Sequence, residues 1–456
     1  MSQITNYSSD IKQRATVKSI LLYLWVMKYS DQSYQQRIEG LFERHQSVQS
    51  AGFSPDSYKP GLEGMSFLDN ALGNPWRSFR TIHVAGTNGK GSVSSMLTAV
   101  LASKGLKVGL YTSPHLIDFR ERMKVISNGN CRMPEREWIW GFLDQYEQKL
   151  EGRSFFEITT GMAFKWFESE KVDIAVIETG LGGRLDSTNI ISPILSVITS
   201  IGLDHCAILG STRAAIAGEK AGIFKPGIPA VVSTRDSETS AIFEDAARIK
   251  GCRLVFADAD GSLSEYAAAQ AGRLDLQGPC QQENLRTVLC ALEQLYPGQN
   301  PESFIESICM AGTLTQFRGR WERLSDNPET ICDIGHNPPA LKINFARLEQ
   351  MKRPAIIVYG IMADKDLEGI APLMPAEAEY ILCAPASSRS MKVDDLYSRL
   401  KTVRPELKCT TASSIRKAIT AAQTRAKVLN NPIIYIGGST FVVSEAIESL
   451  QSKRQA

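Results

Sequence analysis

An α/β architecture in two successive units is predicted by three features of the sequence. Short β-rich runs alternate with helix-length segments, one of these runs passes directly into a glycine-rich loop and a helical stretch, and a second series of runs follows from residue 330. Strands separated by helix-length segments imply parallel sheets with crossover helices. The length of 456 residues also exceeds one ordinary core, at roughly 100–200 residues per domain.

At the start of the chain, Lys12, Arg14 and Lys18 precede the apolar run 20–27 in the manner of a signal peptide. No small-residue cleavage site follows at Lys28-Tyr29-Ser30-Asp31, and the run is too short to span a bilayer, so secretion is not expected. Met27 offers an alternative start, and residues 1–32 are set apart as an N-terminal extension. Residues 33–43 are amphipathic, and residues 51–64, rich in Gly, Pro and Ser, read as a loop. Strands are then expected at 81–85, 107–112, 173–179, 194–200 and 230–233, with a helical segment from about Asn284. The second set falls at 330–334, 355–359, 380–384 and 432–436. The boundary is placed within 311–322, giving domains 33–315 and 316–456. No internal repeat interrupts this order.

Composition excludes several classes. Hydrophobic residues at 43% and charged residues at 22% describe a soluble globular protein. A net charge of +2 is too small to imply a nucleic-acid or membrane partner. Nine cysteines, an odd number without a C-x-x-C pair, form neither a disulfide framework nor a zinc signature, which fits a reducing cytoplasm.

The chemistry gathers at strand ends. Run 81–85 leads into Gly86-Thr87-Asn88-Gly89-Lys90-Gly91-Ser92 and then the helical run 93–103. Glycines let backbone N–H groups close around phosphate oxygens, the helix N-terminus adds a favourable field, Lys90 supplies charge, and Ser92 offers a hydroxyl to Mg²⁺. Gly91 separates Lys90 from Ser92, so the spacing is not the standard G-x-x-x-x-G-K-[ST]. The first unit is therefore expected to be a P-loop ATPase-like domain with a mainly parallel sheet, and the second a smaller Rossmann-like α/β domain. Run 173–179 presents Glu178 where an NTPase places its Mg²⁺-organising carboxylate. Many strands end in an acid for no catalytic reason, but the glycines, Arg184 and Asp186 that follow favour a site. Run 194–200 leads to Asp204-His205. A lone histidine is more often structural than a ligand, and its place opposite a phosphate loop reverses that preference. Lys220, taken on its residues alone, reads as an ordinary surface lysine.

GTNGKGS (86–92), YTSPHLIDFRER (111–122), ETGLGGRLDSTN (178–189), GLDH (202–205) and GEKAGIFKPG (218–227) together resemble the folylpolyglutamate synthase/dihydrofolate synthase family of the Mur ligase superfamily. The resemblance covers nearly the whole chain from about Ser33. It implies that residues 86–92 bind ATP, that Ser92, Ser113 and Glu178 hold one Mg²⁺, and that Glu178, His205 and Lys220 hold a second, with Lys220 carboxylated to a carbamate. An ammonium cannot ligate a cation, whereas a carbamate is an oxygen donor. Gln281, Asn284, Arg320 and Asp333 resemble ATP-contacting positions. Asp333 and His336 of DIGHNPPA, together with Lys90 and Lys220, resemble catalytic positions, while His336 and Ser439 fall where the family contacts glutamate. YGIMADKD (359–366) matches a further signature. Arg318 departs from the family, which commonly has proline there, and this puts the local backbone in question.

The implied reaction joins L-glutamate to a dihydropteroate or reduced-folate carboxylate through an acyl phosphate, with both acceptors used. Binding of ATP in the first domain and of glutamate in the second implies closure between them. The resemblance also implies a monomer, with potassium as a further candidate cation. Two rivals remain at this point, a peptidoglycan-type Mur ligase and an ATP-binding switch without ligation. TSPHL and Gly91 speak against the first, and the complete second-domain signature against the second.

Overall fold

In the computed structural model the described residues are 31–45 and 61–455. The basic residues near the start, the apolar run 20–27, the alternative start at Met27 and most of the loop 51–64 lie outside them.

The first sheet has eight strands: β1 (Arg80–Ala85), β2 (Val108–Tyr111), β3 (Met123–Ser127), β4 (Asn130–Arg132), β5 (Ile174–Glu178), β6 (Leu195–Ile198), β7 (Ala230–Val232) and β8 (Leu254–Phe256). Their order is β4-β3-β2-β5-β1-β6-β7-β8. The six strands from β2 to β8 in this order are parallel, and the β3–β4 hairpin adds an antiparallel edge. Pairing of Val84 with Glu178 and of Ala85 with Ile198 puts the ends of β5, β1 and β6 side by side. The loops leaving these three strands therefore share one edge, where ligands bind in open α/β sheets.

Both faces are covered. Helix Lys90–Ser103 lays Val93, Met96, Leu97 and Val100 against Val84, Val176 and Val197, with helix Gln281–Leu295 beside it. Helix Phe155–Ser169 covers the opposite face through Met162, Phe164 and Phe167, and begins at a capping box formed by Ser154 and Glu157. Tyr34, Ile38 and Leu41, spaced four and three apart on helix Asp31–Arg44, complete that face.

The second sheet contains β9 (Glu322–Asp326), β10 (Glu329–Asp333), β11 (Ala355–Tyr359), β12 (Glu379–Leu382), β13 (Lys408–Thr411) and β14 (Ile433–Gly437), ordered β13-β12-β11-β14-β10-β9. All pairs are parallel except β9–β10. Gly437 pairs with both Asp333 and Tyr359, so the loops after β10, β11 and β14 also emerge together.

Sequence patterning located the long central strands but not β3, β4, β8, β9 or β13. β4 and β13 are mostly exposed and polar, β9 carries alternating charges, and β8 has only three residues. Edge strands of this kind lack the apolar run that marks a buried strand.

The junction is tightly turned. After the short helix Ala311–Thr315, Gln316, Gly319 and Trp321 all take positive φ. Lys124 is buried on β3 and donates to Thr315 O at 2.8 Å and Gln316 O at 2.9 Å, fixing where the turn begins.

Candidate active site

The phosphate loop is held by backbone fit. Gly86 has φ 155°, and a Cβ there would stand 1.7 Å from Thr199 Oγ1; Gly89 has φ 89°, and its Cβ would stand 2.3 Å from Asn284 Oδ1. Thr87 Oγ1 donates to Gly202 O at 3.1 Å, and Asn88 N donates to Ser200 Oγ at 3.1 Å, strapping the loop to the segment after β6. Lys90 opens the helix and folds its Nζ back onto Gly86 O and Thr87 O, both at 3.2 Å. Ser92 is buried, and its Oγ accepts from Gln281 Nε2 at 3.2 Å; Asn284 Nδ2 donates to Gln281 Oε1 at 2.9 Å. Gln281 and Asn284 thus reach the loop from helix Gln281–Leu295. Gly91 is also explained, because a Cβ there would lie 2.5 Å from Phe317 Cζ of the domain junction.

Glu178 faces this loop. Its Oε1 is 4.0 Å from Lys90 Nζ, and its Oε2 accepts from Ser113 N at 3.3 Å. Burial pushes its pKa up to about 7, against the opposing pull of Lys90, the Ser113 N–H and Arg320. A buried carboxylate oxygen at the edge of a phosphate loop is a donor suited to a hard divalent cation. Among the described residues no group of three or more His, Cys, Asp or Glu side chains is disposed to hold a metal ion.

Lys220 is not a surface lysine, as its residue context alone implied. It is 3% exposed, and its Nζ donates to Gly86 O at 2.7 Å. It shares the buried side of helix Arg213–Ala221 with Ile216, Ala217 and Ala221. Burial, with Lys90 second, lowers its pKa to about 7. His205 sits in the left-handed region, its Nε2 3.6 Å from Asp204 Oδ2, and burial lowers its pKa to about 3 despite that carboxylate. The ring is therefore neutral at pH 7.

In the second domain, Asp333 is occupied by its own scaffold. Oδ2 accepts from Trp321 N at 2.9 Å, and Oδ1 accepts from Gly335 N at 2.8 Å and Asn344 Nδ2 at 2.7 Å. His336 Nδ1 lies 3.0 Å from Ile334 O; a carbonyl only accepts, so Nδ1 carries the hydrogen and Nε2 keeps its lone pair. Burial, then Lys365, lowers its pKa to about 4. Ser439 is buried and accepts from Val442 N at 3.1 Å as its helix begins. Arg320 stacks over the Phe317 ring at 4.7 Å, and its charge is felt at both Glu178 and Asp333. A cavity of about 570 Å³ opens beside it, lined in part by Gln277, Phe317, Trp321, Arg347 and Met351.

Sequence reasoning missed three participants. Phe317 beside the junction, Lys365 within YGIMADKD and the reach of Asn337 gave no chemical signal of their own; Asn337 belongs to the DIGHNPPA signature the sequence offered, but its crossing to the first domain joins positions 249 residues apart.

Known proteins resemble this chain along most of its length. Residues 84–278 match the Mur ligase middle domain, and residues 319–439 match the Mur ligase glutamate ligase domain. The chain is 32% identical over 388 residues to the dihydrofolate synthase/folylpolyglutamate synthase of Haemophilus influenzae, covering 80% of this chain and 87% of the relative. Among solved structures, Escherichia coli FolC in complex with DHPP and ADP superposes with a TM-score of 0.75 at 26% identity, covering 92% of this chain and 98% of that one. A bifunctional folylpolyglutamate synthase/dihydrofolate synthase with Mn, AMPPNP and L-glutamate bound gives a TM-score of 0.73 at 27% identity, covering 86% and 95%.

Proposed function

This chain belongs to the folylpolyglutamate synthase/dihydrofolate synthase family of Mur ligases, and from that premise we propose that it joins L-glutamate to dihydropteroate and to reduced folates at the expense of ATP. The observation that carries this reading is the buried Glu178 carboxylate facing the phosphate-loop Lys90, in a chain whose second unit matches a glutamate ligase domain.

A carboxylate resists attack by an amine until one oxygen becomes a good leaving group. The acceptor's carboxylate oxygen attacks the γ-phosphorus of ATP, ADP departs, and an acyl phosphate forms. Residues 86–92 present backbone N–H groups to the phosphates, and Lys90 swings from its loop carbonyls to the phosphoryl oxygens. Asn284, Arg320 and the cavity beside Arg320 accept the remainder of the nucleotide. Ser92, Ser113 and Glu178 would hold one Mg²⁺, and Glu178, His205 and Lys220 a second; bound there, Mg²⁺ neutralises charge spread over the transferring phosphoryl group. Lys220 serves as a ligand once its amine adds CO₂ and loses a proton. Its lowered pKa supports this, because only the neutral amine adds CO₂.

The glutamate amine then attacks the acyl carbon, phosphate leaves with the C–O bonding pair, and the proton given up by the amine passes to the departing phosphate. His336 Nε2 accepts from and orients that amine. Asp333, already tied by three donors, positions the turn that carries His336 rather than taking the proton itself. Ser439 contacts the glutamate carboxylate. The enzyme works as a monomer in the cytoplasm; an odd number of cysteines with no C-x-x-C pair suits a reducing compartment. No helix among the described residues is long and apolar enough to cross a membrane.

The test incubates the protein with Mg-ATP and glutamate, offering dihydropteroate or tetrahydrofolate, with and without K⁺, and follows products and ADP by mass spectrometry. Glutamate addition in both tubes establishes both activities. No product and no ADP, from folded protein whose Lys220 carries one added CO₂, overturns the reading in favour of a nucleotide-binding switch.

A further inference from the structure

The two domains meet at a polar cluster centred on Asp204. From the second domain, Asn337 Nδ2 donates to Asp204 Oδ2 at 2.9 Å, Lys365 Nζ donates to Oδ1 at 3.3 Å, and His336 Nε2 lies 3.9 Å from Oδ2. From its own side, His205 N donates to Oδ1 at 2.9 Å. Asn337 also exchanges two amide hydrogen bonds with Asn88 of the phosphate loop, both at 3.2 Å. One second-domain side chain therefore touches the phosphate loop and Asp204 together. The Asp204 and Lys365 side chains are 13% and 12% exposed, so the ion pair is largely desolvated.

A buried charge pair is a poor choice for simple cohesion, since apolar groups of similar size hold domains together as well or better. It is specific, however: a carboxylate whose two oxygens take Asn337 and Lys365 from one approaching surface is satisfied in one docked arrangement only. His336, Asn337 and Lys365 stand on the loops after β10 and β11, the loops that must bring glutamate to an acyl phosphate formed over the first sheet.

We propose that Asp204 is a positioning residue, a latch that registers the second domain against the phosphate loop so that the acyl phosphate meets the glutamate amine before water. This rests on the ligase reading above. With the latch loosened, a water oxygen attacks the acyl carbon, phosphate leaves with the C–O bonding pair, and of the water's two protons one goes to the departing phosphate and one to solvent. The original carboxylate returns, and ATP is spent with no amide made.

The experiment measures ADP and amide product in the same tube for wild type and Asp204→Asn, which keeps the shape and removes the charge. In wild type the two appear in equal amounts. In D204N the ADP-to-amide ratio rises about threefold or more and the glutamate KM about tenfold, while the ATP KM moves less than about threefold. A residue that merely stabilised the fold would lower both products together and leave the ratio at one, and that outcome overturns the latch. No amide from wild type overturns the ligase reading and the latch with it. Asn337→Ser is the second variant: serine still caps the helix starting at Pro338 but is too short to bridge Asn88 and Asp204. It raises the ratio in the same direction, and it decides the matter should D204N not fold.

Discussion

The phosphate-loop edge and the second-domain edge are built from similar parts and prepared differently. In the first, the parts are fixed while the reactive groups are under-satisfied: Glu178 is buried with its pKa raised to about 7, and Lys220 is buried with its pKa lowered to about 7. In the second, Asp333 already accepts three hydrogen bonds, and His336 is held through Nδ1. The first edge is thus poised for ions and phosphates, and the second is a finished mount that needs only to be brought into register. Such a division suits a reaction whose intermediate is made on one surface and consumed from another.

The sharpest way to break this comparison is to change one carboxylate on each side. Glu178→Gln removes a charge from the under-satisfied edge; kcat is expected to fall on the order of 10²–10³-fold with little loss of stability in the metal-free protein. Asp333→Asn disturbs the finished mount, since an amide nitrogen replaces one acceptor oxygen, and is expected to cost about 1–3 kcal/mol of stability. Thermal unfolding alongside steady-state rates separates the two. If D333N kept full stability and lost only turnover, the contrast drawn here would be wrong.

The next largest effect tests why Gly91 is glycine. Gly91→Thr places a side chain where the Phe317 ring lies, and an overpacking cost of about 1–3 kcal/mol at the loop corresponds to roughly 5- to 150-fold in kcat/KM for ATP. Phe317→Val clears that space. The double variant G91T/F317V should recover part of what G91T alone loses, and strict additivity of the two losses would show that the ring is not the obstacle.

How much of this was legible depends on sequence locality. The phosphate loop is seven consecutive residues, Glu178 ends a strand and His205 follows one, and the apolar runs of both strands are plain. The parallel cores of both sheets were readable for the same reason. The inward turn of Lys220 was not, because a lysine among small residues looks alike on either face of a helix. Phe317 against Gly91 and Asn337 against Asn88 join positions more than 200 residues apart, and no period or motif in a single sequence encodes such pairs. The resemblance supplied roles for His336 and Ser439, yet only the hydrogen bonds show which ring nitrogen of His336 is bare.

A pH measurement follows from Glu178. Its folded pKa of about 7 lies above the ordinary 4.5, so between these values the metal-free folded protein holds a proton that the unfolded chain has released. Its stability therefore declines as pH rises through that window and levels off above about 7. A divalent cation needs the carboxylate form, so its apparent affinity should weaken by about tenfold for each pH unit below 7. Mn²⁺ titrations at pH 5.5, 6.5 and 7.5 read this directly, and an affinity that does not change with pH would remove Glu178 from the ligand set.

The smallest effect concerns Arg318, where the sequence departs from its family. Its Nε donates to Glu322 Oε1 at 2.9 Å, while Glu322 Oε2 accepts from Gly319 N at 2.8 Å, so one carboxylate binds both the side chain and the backbone of the turn. With side chains 33% and 24% exposed, the Arg318–Glu322 pair is partly screened and contributes about 0.2–1 kcal/mol. Proline restricts the same backbone by covalent means. Arg318→Pro should then leave stability within about 1 kcal/mol of wild type and turnover unchanged, because Glu322 still holds Gly319. Glu322→Gln, by contrast, weakens both contacts and should lower stability more than R318P does. Were R318P the more damaging of the two, the arginine would be doing more than replacing a stiff residue, and the closeness of Arg320 two positions on would make the nucleotide site the place to look for it.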